Sequence, residues 1–152
     1  MWWIVWTWPR KWIGDFAINN ISRYLSIACL QYASTKDEFL TLRIIKKLIK
    51  KSVDLGAELI ALPECATTLH ENSTITKDLA KPEIESLSLH TLMELAKNNT
   101  VYILVGSLPI KLKNKILNRS FLIGPDGKIL YKYDKIHLYD VNLPNGDIYR
   151  ES

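Results

Sequence analysis

Cysteine is scarce in this chain of 152 residues, in which Cys29 and Cys65 are the only two. Two isolated thiols provide neither the disulfide framework of a small secreted domain nor the paired spacing of a zinc site. The sequence also lacks an apolar run of the roughly 20 residues that a bilayer-spanning helix needs. A secretory signal, with its basic start, apolar run and small-residue cleavage site, is not found either. We therefore expect a cytoplasmic protein without a metal site.

Basic residues are in modest excess but are not concentrated. The sequence contains 20 Lys and Arg against 16 Asp and Glu, which gives a net charge of +4. The Lys residues are spread over several predicted elements, and the run IIKKLIKK is typical of the solvated face of a helix. A nucleic-acid site needs a basic patch, so we do not expect a nucleic-acid partner.

Tryptophan is confined to the start of the chain. All five Trp lie within MWWIVWTWPRKWIGDF, and we separate residues 1–24 as a Trp-rich N-terminal extension from a domain over residues 25–152. Trp beside Arg10 and Lys11 could lie at a bilayer interface, although the stretch is too short to cross a membrane. The simpler interpretation is an extension with no role in the fold, and we do not expect a membrane partner.

Three apolar runs predict buried strands: YLSIACLQYA (24–33), AELIALPE and TVYILVGSLP. AELIALPE does not alternate, which predicts burial on both faces. Helical periodicity separates these runs, so the order indicates parallel strands with right-handed crossovers in an α/β fold. The polar residues 65–81 predict a loop beside a site. LNRSFLI, the turn GPDG and KILYKYDKIHL predict an antiparallel hairpin.

The two predicted helices have recognisable ends. Thr35 and Glu38 match a capping box at the start of the first helix, and Gly56 is placed to end it. Pro82 opens the second helix. The apolar positions at helical spacing, which we expect to be buried, include Phe39, Ile84 and Leu87.

Two charged residues have positions that allow either a structural or a chemical role. Glu64 follows a buried strand, where open α/β sheets build their sites, but a Glu that caps a loop explains it equally well. Lys135 lies in a predicted hairpin strand beside Asp134, where an exposed Lys paired with a neighbour is the simpler interpretation.

Four segments together resemble the nitrilase superfamily of carbon-nitrogen hydrolases, in particular its Nit-protein or omega-amidase-like branch. They are LIALPE (59–64), LVGSLP (104–109), NRSFLIGPDGKILYKYDKIHLYDV (118–141) and YRES (149–152). The resemblance covers residues 25–152 and implies a nitrilase-like αββα sandwich, truncated after roughly its first half. It also implies hydrolysis of small non-peptide amides through a Cys-Glu-Lys thioester mechanism, with no cofactor.

The resemblance assigns roles to individual residues. It implies that Glu64 is the general base, Lys135 the catalytic lysine and Glu151 the second glutamate of the site. The nucleophilic Cys is expected beyond Ser152, so the chain alone is expected to be inactive. Tyr133, His137 and Asp140 are expected to be scaffold.

Neither cysteine of the chain is a good substitute for the family nucleophile. Cys29 lies in the middle of an apolar strand and is interpreted as a small buried residue. Cys65 follows Glu64, and neighbours in an extended segment point to opposite faces, so Glu64 could hardly act as its base.

Half of a sandwich exposes apolar faces and strand edges, so we expect poor solubility for the chain alone. The expected partners are a small-molecule amide substrate and either another copy of the chain or a complementing C-terminal half. Two alternatives stay open. The chain could be one half of a split enzyme whose second polypeptide carries the Cys, or a non-catalytic interaction protein.

Overall fold

The computed structural model describes the backbone of residues 5–9, 24–70, 73–142 and 148–150, and side chains within 24–70 and 75–142. Two sheets are present in this described part, one of six strands and one of two. In chain order the elements are β1 (Val5–Pro9), β2 (Tyr24–Cys29), α1 (Glu38–Asp54), β3 (Leu59–Ala61), α2 (Ser73–Leu79), a 3-10 helix (Glu83–Glu85), α3 (Leu87–Asn99), β4 (Tyr102–Leu112), β5 (Lys115–Ile123), β6 (Ile129–Asp134), β7 (Asp140–Asn142) and β8 (Ile148–Arg150).

The larger sheet has the strand order β1-β2-β3-β4-β5-β6. Strands β2, β3 and β4 are parallel, as the sequence predicts, and the remaining pairs in this sheet are antiparallel. Because both crossovers proceed in the same direction along the sheet, right-handed connections place α1 and α3 on the same face. The two helices pack against each other and against the apolar side chains of that face. Strands β7 and β8 form the two-stranded sheet.

The two faces of the six-stranded sheet differ in burial. Residues paired across a sheet share a face, so the pairings define one row on each side. The row under the helices is buried or partly buried and consists of Ala28, Ile60, Ile103, Ile123 and Ile129. The opposite row, which we call the open row, is exposed or half-buried and consists of Cys29, Ala61, Leu104, Leu122 and Tyr131.

Burial of the AELIALPE strand on both faces is therefore a wrong prediction. Ile60 of β3 is fully buried, whereas Leu59 and Ala61 on either side of it are only partly buried. An apolar run without alternation does not tell whether a second layer covers the strand. Among the described residues, the helices cover one face only.

Helix α1 begins two residues later than the capping-box prediction implies. Its N-cap is Asp37, whose carboxylate accepts from the Leu40 amide, while the Thr35 hydroxyl contacts that of Thr41 instead. Phe39, predicted to be buried, is 68% exposed in the first turn. Gly56 follows the helix in a left-handed conformation, with φ of 83°, which confirms the predicted end.

The segment between β3 and β4 holds more structure than predicted. Helix α2 lies within residues 65–81, which the sequence predicts as a loop. The predicted helix at Pro82 is interrupted, because Ser86 caps a new helix by accepting from the Leu89 amide, and only the short 3-10 helix precedes it. The interruption leaves Ile84 82% exposed and Leu87 41% exposed, so their predicted burial is wrong.

The predicted hairpin of β5 and β6 is confirmed, with the turn residue Gly127 at φ of 78°. In the N-terminal extension, Val5–Pro9 pair with β2 as an antiparallel edge strand. The expectation that the extension has no role in the fold is therefore wrong for those five residues. Within the described ranges, no helix has the length and apolar character needed to cross a membrane.

Candidate active site

Glu64 and Lys135 meet at one edge of the sheet. Glu64 lies in the turn that follows β3, and Lys135 directly follows β6. The Lys135 Nζ atom is 3.0 Å from Glu64 Oε1, although the two residues are 71 positions apart in the chain. The Asn118 side-chain amide donates to the same oxygen at 2.8 Å. A carboxylate, an ammonium group and an amide therefore converge at the carboxyl ends of two strands.

Lys135 is held both through its backbone and through its side chain. Its backbone N–H donates to the Asn118 carbonyl at 2.9 Å and continues the ladder, while its ammonium group contacts Glu64. The carboxylate of Asp134 binds Arg119 instead. Neighbouring residues of a strand point to opposite faces, which explains why Asp134 and Lys135 have different partners.

The turn after β3 is attached to strand β4. Cys65 has a left-handed backbone with φ of 48°, a conformation that costs a non-glycine residue roughly 1–2 kcal/mol. Its N–H donates to the Ser107 hydroxyl at 2.9 Å, and the Ala66 N–H donates to the Ser107 carbonyl at 3.0 Å. These bonds hold Glu64, which lies between β3 and Cys65, in a fixed place.

A second set of bonds anchors the same turn from the segment after β2. The Tyr32 hydroxyl donates to the Ala66 carbonyl at 2.7 Å, and the Ser34 hydroxyl donates to the Cys65 carbonyl at 2.8 Å. Burial raises the pKa of Tyr32 well above its ordinary value, so this hydroxyl keeps its proton and its donor role.

Gly106 allows the turn to approach β4. A Cβ atom at this position would lie 2.4 Å from the carbonyl carbon and oxygen of Pro63, the residue before Glu64. The pairing of β4 with β5 is irregular between Val105 and Leu108, so a bulge occurs where Pro63 approaches. Only glycine leaves room for this contact.

The structure corrects both statements about the cysteines. Cys29 is exposed because it lies in the open row, so its predicted burial is wrong. Cys65 is not part of an extended segment, so alternation cannot be used to separate it from Glu64. Glu151 lies outside the described residues, and its assignment as second glutamate stays a prediction.

Four charged side chains form a network on the helix side of β5 and β6. Arg119 binds Asp134 through two bonds, Nε to Oδ1 at 2.5 Å and Nη2 to Oδ2 at 2.7 Å, and its Nη1 atom contacts Glu83. Lys132 also binds Glu83. Hydrogen bonds from Arg119 lower the pKa of Asp134. Burial acts to raise the pKa of Glu83, but the two cations outweigh it and the net shift is downward.

A cavity of about 420 Å³ lies elsewhere, on the helix side of the sheet. The N-terminal ends of α1 and α3 line it, together with Thr67 and Leu108, but Glu64, Asn118 and Lys135 do not. No three His, Cys, Asp or Glu side chains in the described part of the chain are grouped closely enough to hold a metal ion.

The sequence matches a model of the carbon-nitrogen hydrolase family over residues 26–152. The chain belongs to this family. It is 34% identical to omega-amidase NIT2 of Mus musculus over 128 residues, which are 84% of this chain and 45% of that protein. The chain thus spans less than half the length of this curated relative.

Solved structures of family members share the fold. The C. elegans NitFhit protein superimposes with a TM-score of 0.72 at 26% identity, over 83% of this chain and 31% of that one. Saccharomyces cerevisiae Nit3, a member of the nitrilase superfamily, gives a TM-score of 0.68 at 25% identity, over 75% of this chain and 45% of that one. The resemblance to the nitrilase superfamily and the predicted α/β fold class are confirmed.

Three residues that shape the site were not assigned from the sequence. Asn118 lies in the NRSF segment directly before Arg119, and neighbouring residues of a strand place their side chains on opposite faces of the sheet. Gly106 and Ser107 interrupt an apolar strand, and a glycine inside a strand is a signal for a bulge or a close approach. These signals mark the positions but do not identify Glu64 as their neighbour.

Proposed function

We propose that this chain supplies the glutamate and lysine of a cytoplasmic carbon-nitrogen hydrolase that acts on small non-peptide amides, as an omega-amidase does. The contact of Lys135 Nζ with Glu64 Oε1 at 3.0 Å is the observation that carries the proposal. The nucleophilic Cys comes from a complementing C-terminal half, in the same polypeptide or in a second one. Glu151 acts as the second glutamate.

The chemistry assigned to the pair follows from the needs of amide hydrolysis. Glu64 takes the thiol proton of the Cys, and the thiolate then attacks the amide carbonyl carbon. Lys135 stabilises the oxyanion that forms, through its positive charge. The carbon-nitrogen bond breaks, and ammonia leaves with the proton from Glu64. Water then attacks the thioester with Glu64 as base, which releases the acid and restores the thiol.

Hydrogen bonding to Glu64 supports its part in this scheme. Lys135 and Asn118 both donate to Oε1, so two donors hold the glutamate carboxylate in place. The glutamate side chain is 59% exposed and the lysine side chain 30% exposed, so a reactant can reach both. Hydrogen bonds fix the position of the pair, and its exposed part is accessible to a substrate, as a binding site requires.

The position of the pair supports a complementing half as the source of the Cys. Lys135 and Asn118 continue the alternation of Tyr131 and Leu122, so they lie on the face of the open row. This face is apolar and is not covered by the described helices. A segment that covers the open row would bring its own side chains to the edge where Glu64 and Lys135 meet.

The test measures ammonia released from a panel of small amides. The chain is assayed alone and together with the C-terminal half of the Mus musculus omega-amidase, supplied as a second polypeptide and also as a fusion. We expect ammonia only when both parts are present. Glu64→Gln or Lys135→Met should then lower the rate at least about 100-fold, because each removes a group that acts in the transition state.

Two substitutions on the protein surface serve as controls for the lost charges. Glu94→Gln changes an exposed glutamate of α3, and Lys128→Met changes a lysine that is 81% exposed in the hairpin turn. Both should keep the rate of the unsubstituted pair of parts. Hydrolysis by the chain alone, or activity that survives Glu64→Gln, would contradict the proposal.

A further inference from the structure

The proposed site requires that the end of strand β6 be held in place, because Lys135 directly follows it. Among the described strands, β6 is the last of the six-stranded sheet and pairs only with β5, and the ends of edge strands open more readily than central strands. Asp134 is its final residue, and Lys135 follows. If the end of β6 opens, the lysine ammonium moves away from Glu64. Something must therefore hold this end of the strand.

Arg119 is the residue placed to hold it. It pairs directly with Asp134 across β5 and β6, and its guanidinium binds both oxygens of that carboxylate. Such a bidentate pair fixes direction as well as distance. The remaining arm of the guanidinium contacts Glu83, which lies outside the sheet in the 3-10 helix. The strand end is thus tied to β5 and to the segment before α3.

Partial burial makes this tie effective. The Arg119 side chain is only 14% exposed, and that of Glu83 is 25% exposed, so water competes weakly for their contacts. The network lies on the opposite face from Lys135, so it cannot contact a substrate held at Glu64. Its effect on the site is transmitted through the backbone of the two strands, at residues 134 and 135 where β6 ends and at Asn118 of β5 beside Arg119.

We propose that Arg119 is a positioning residue, which holds Lys135 against Glu64 by fixing Asp134 and Glu83 on the other face of the strand pair. The inference rests on the proposed function for the importance of the Glu64–Lys135 contact. It adds a residue that does not contact the reacting groups.

Zero-length cross-linking measures the contact itself. A carbodiimide activates the Glu64 carboxylate, and the Lys135 amine replaces the activating group to form an amide, provided that the two atoms are in contact. Mass spectrometry of the digested 152-residue chain gives the yield of the Glu64–Lys135 cross-linked peptide. A change that only lowers overall stability does not reduce this yield while the chain stays folded.

Arg119→Met should lower the yield at least about threefold, because the strand end loses its attachment. Lys132→Met is the matched control. It removes one positive charge from the same face, on a residue that also binds Glu83, but it leaves the Arg119–Asp134 pair intact. Its yield should stay close to that of the unsubstituted chain. An unchanged yield in folded Arg119→Met would overturn the proposal.

A second variant decides the question if Arg119→Met does not fold. Arg119→Lys keeps the charge but lacks the planar fork that binds two carboxylate oxygens and Glu83 together, so its yield should also fall. A yield equal to that of the unsubstituted chain would overturn the proposal. The cross-link needs neither substrate nor nucleophile. If no ammonia is released but the cross-linking yield still falls in the Arg119 variants, only the proposed function is contradicted.

Discussion

Gly106 is the residue on which the approach of the Glu64 turn to β4 depends. The missing side chain leaves space for the carbonyl group of Pro63, which is backbone and cannot rotate away. The bulge beside it places the Ser107 hydroxyl and carbonyl under the amides of Cys65 and Ala66. Gly106 of β4 therefore determines the position of Glu64, which lies in the turn after β3.

Gly106→Ala should destabilise the chain by about 1–3 kcal/mol, the usual range for atoms forced into a packed site. It should also lower the Glu64–Lys135 cross-linking yield, because the Pro63 backbone must move. Urea unfolding at low protein concentration gives the free energy.

Gly124→Ala is the control for this substitution. A Cβ at that position would lie 3.0 Å from an Asp126 side-chain oxygen and 3.3 Å from a Leu130 methyl, both of which can move. We expect a smaller loss of stability and an unchanged cross-linking yield. Equal effects of the two substitutions would show that the contact with Pro63 is unimportant.

At the scale of elements, the charge network joins three separate segments: the 3-10 helix, β5 and β6. Its two carboxylates have pKa values below their ordinary range. A carboxylate with a depressed pKa in the folded state stabilises that state when it is ionised. This contribution is complete above the pKa of the unfolded chain, which is about 4 for Asp, and is lost as the pH falls through the folded-state value.

Asp134→Asn should therefore cost stability at neutral pH, and the cost should shrink on acidification below about pH 4. Urea unfolding of both chains between neutral and acidic pH measures the difference. In an Arg119→Met background the same substitution should depend less on pH, because Arg119 is the main cause of the lowered pKa of Asp134 and only the weaker effect of Lys132 remains. A cost that does not change with pH would contradict the assignment.

On the scale of the whole molecule, the open row is the dominant feature. Tyr102 and Leu104 of β4 are 40% and 39% exposed, whereas Ile103 and Val105 between and beyond them are fully buried. The buried face of the sheet is the one that α1 and α3 cover. The uncovered apolar side is where we expect association with another copy or with the complementing half.

Leu104→Thr should raise the fraction of soluble monomer and reduce binding of a hydrophobic dye, because it makes this face less apolar without disturbing the core. Threonine is well tolerated in strands. Size-exclusion chromatography and dye fluorescence are the measurements. A chain that is already monomeric and melts cooperatively would contradict the expected poor solubility.

Leu108→Thr provides the control on the other face of β4. Leu108 is 1% exposed, so this substitution buries a hydroxyl and leaves a cavity. It should cost at least about 2 kcal/mol and should not improve solubility. Equal behaviour of the two variants would mean that the open row does not cause association.

The sequence by itself determined the alternation of β2, α1, β3, α3 and β4, the parallel pairing of these strands, the hairpin of β5 and β6 and the end of α1 at Gly56. Hydrophobic periodicity and turn residues act over a few positions, so they are visible without a fold. The segments quoted for the family resemblance also identified the family. The same local signals failed where two starts compete, as at Asp37 and Ser86, which cap their helices in place of the predicted residues.

The tertiary structure alone decided the contacts on which function depends. It placed Lys135 in contact with Glu64, set the left-handed backbone conformation of Cys65 and paired Asp134 with Arg119. It also decided which face of β3 is covered. Each of these depends on strand register and loop path between residues far apart in the chain, which local propensity does not specify.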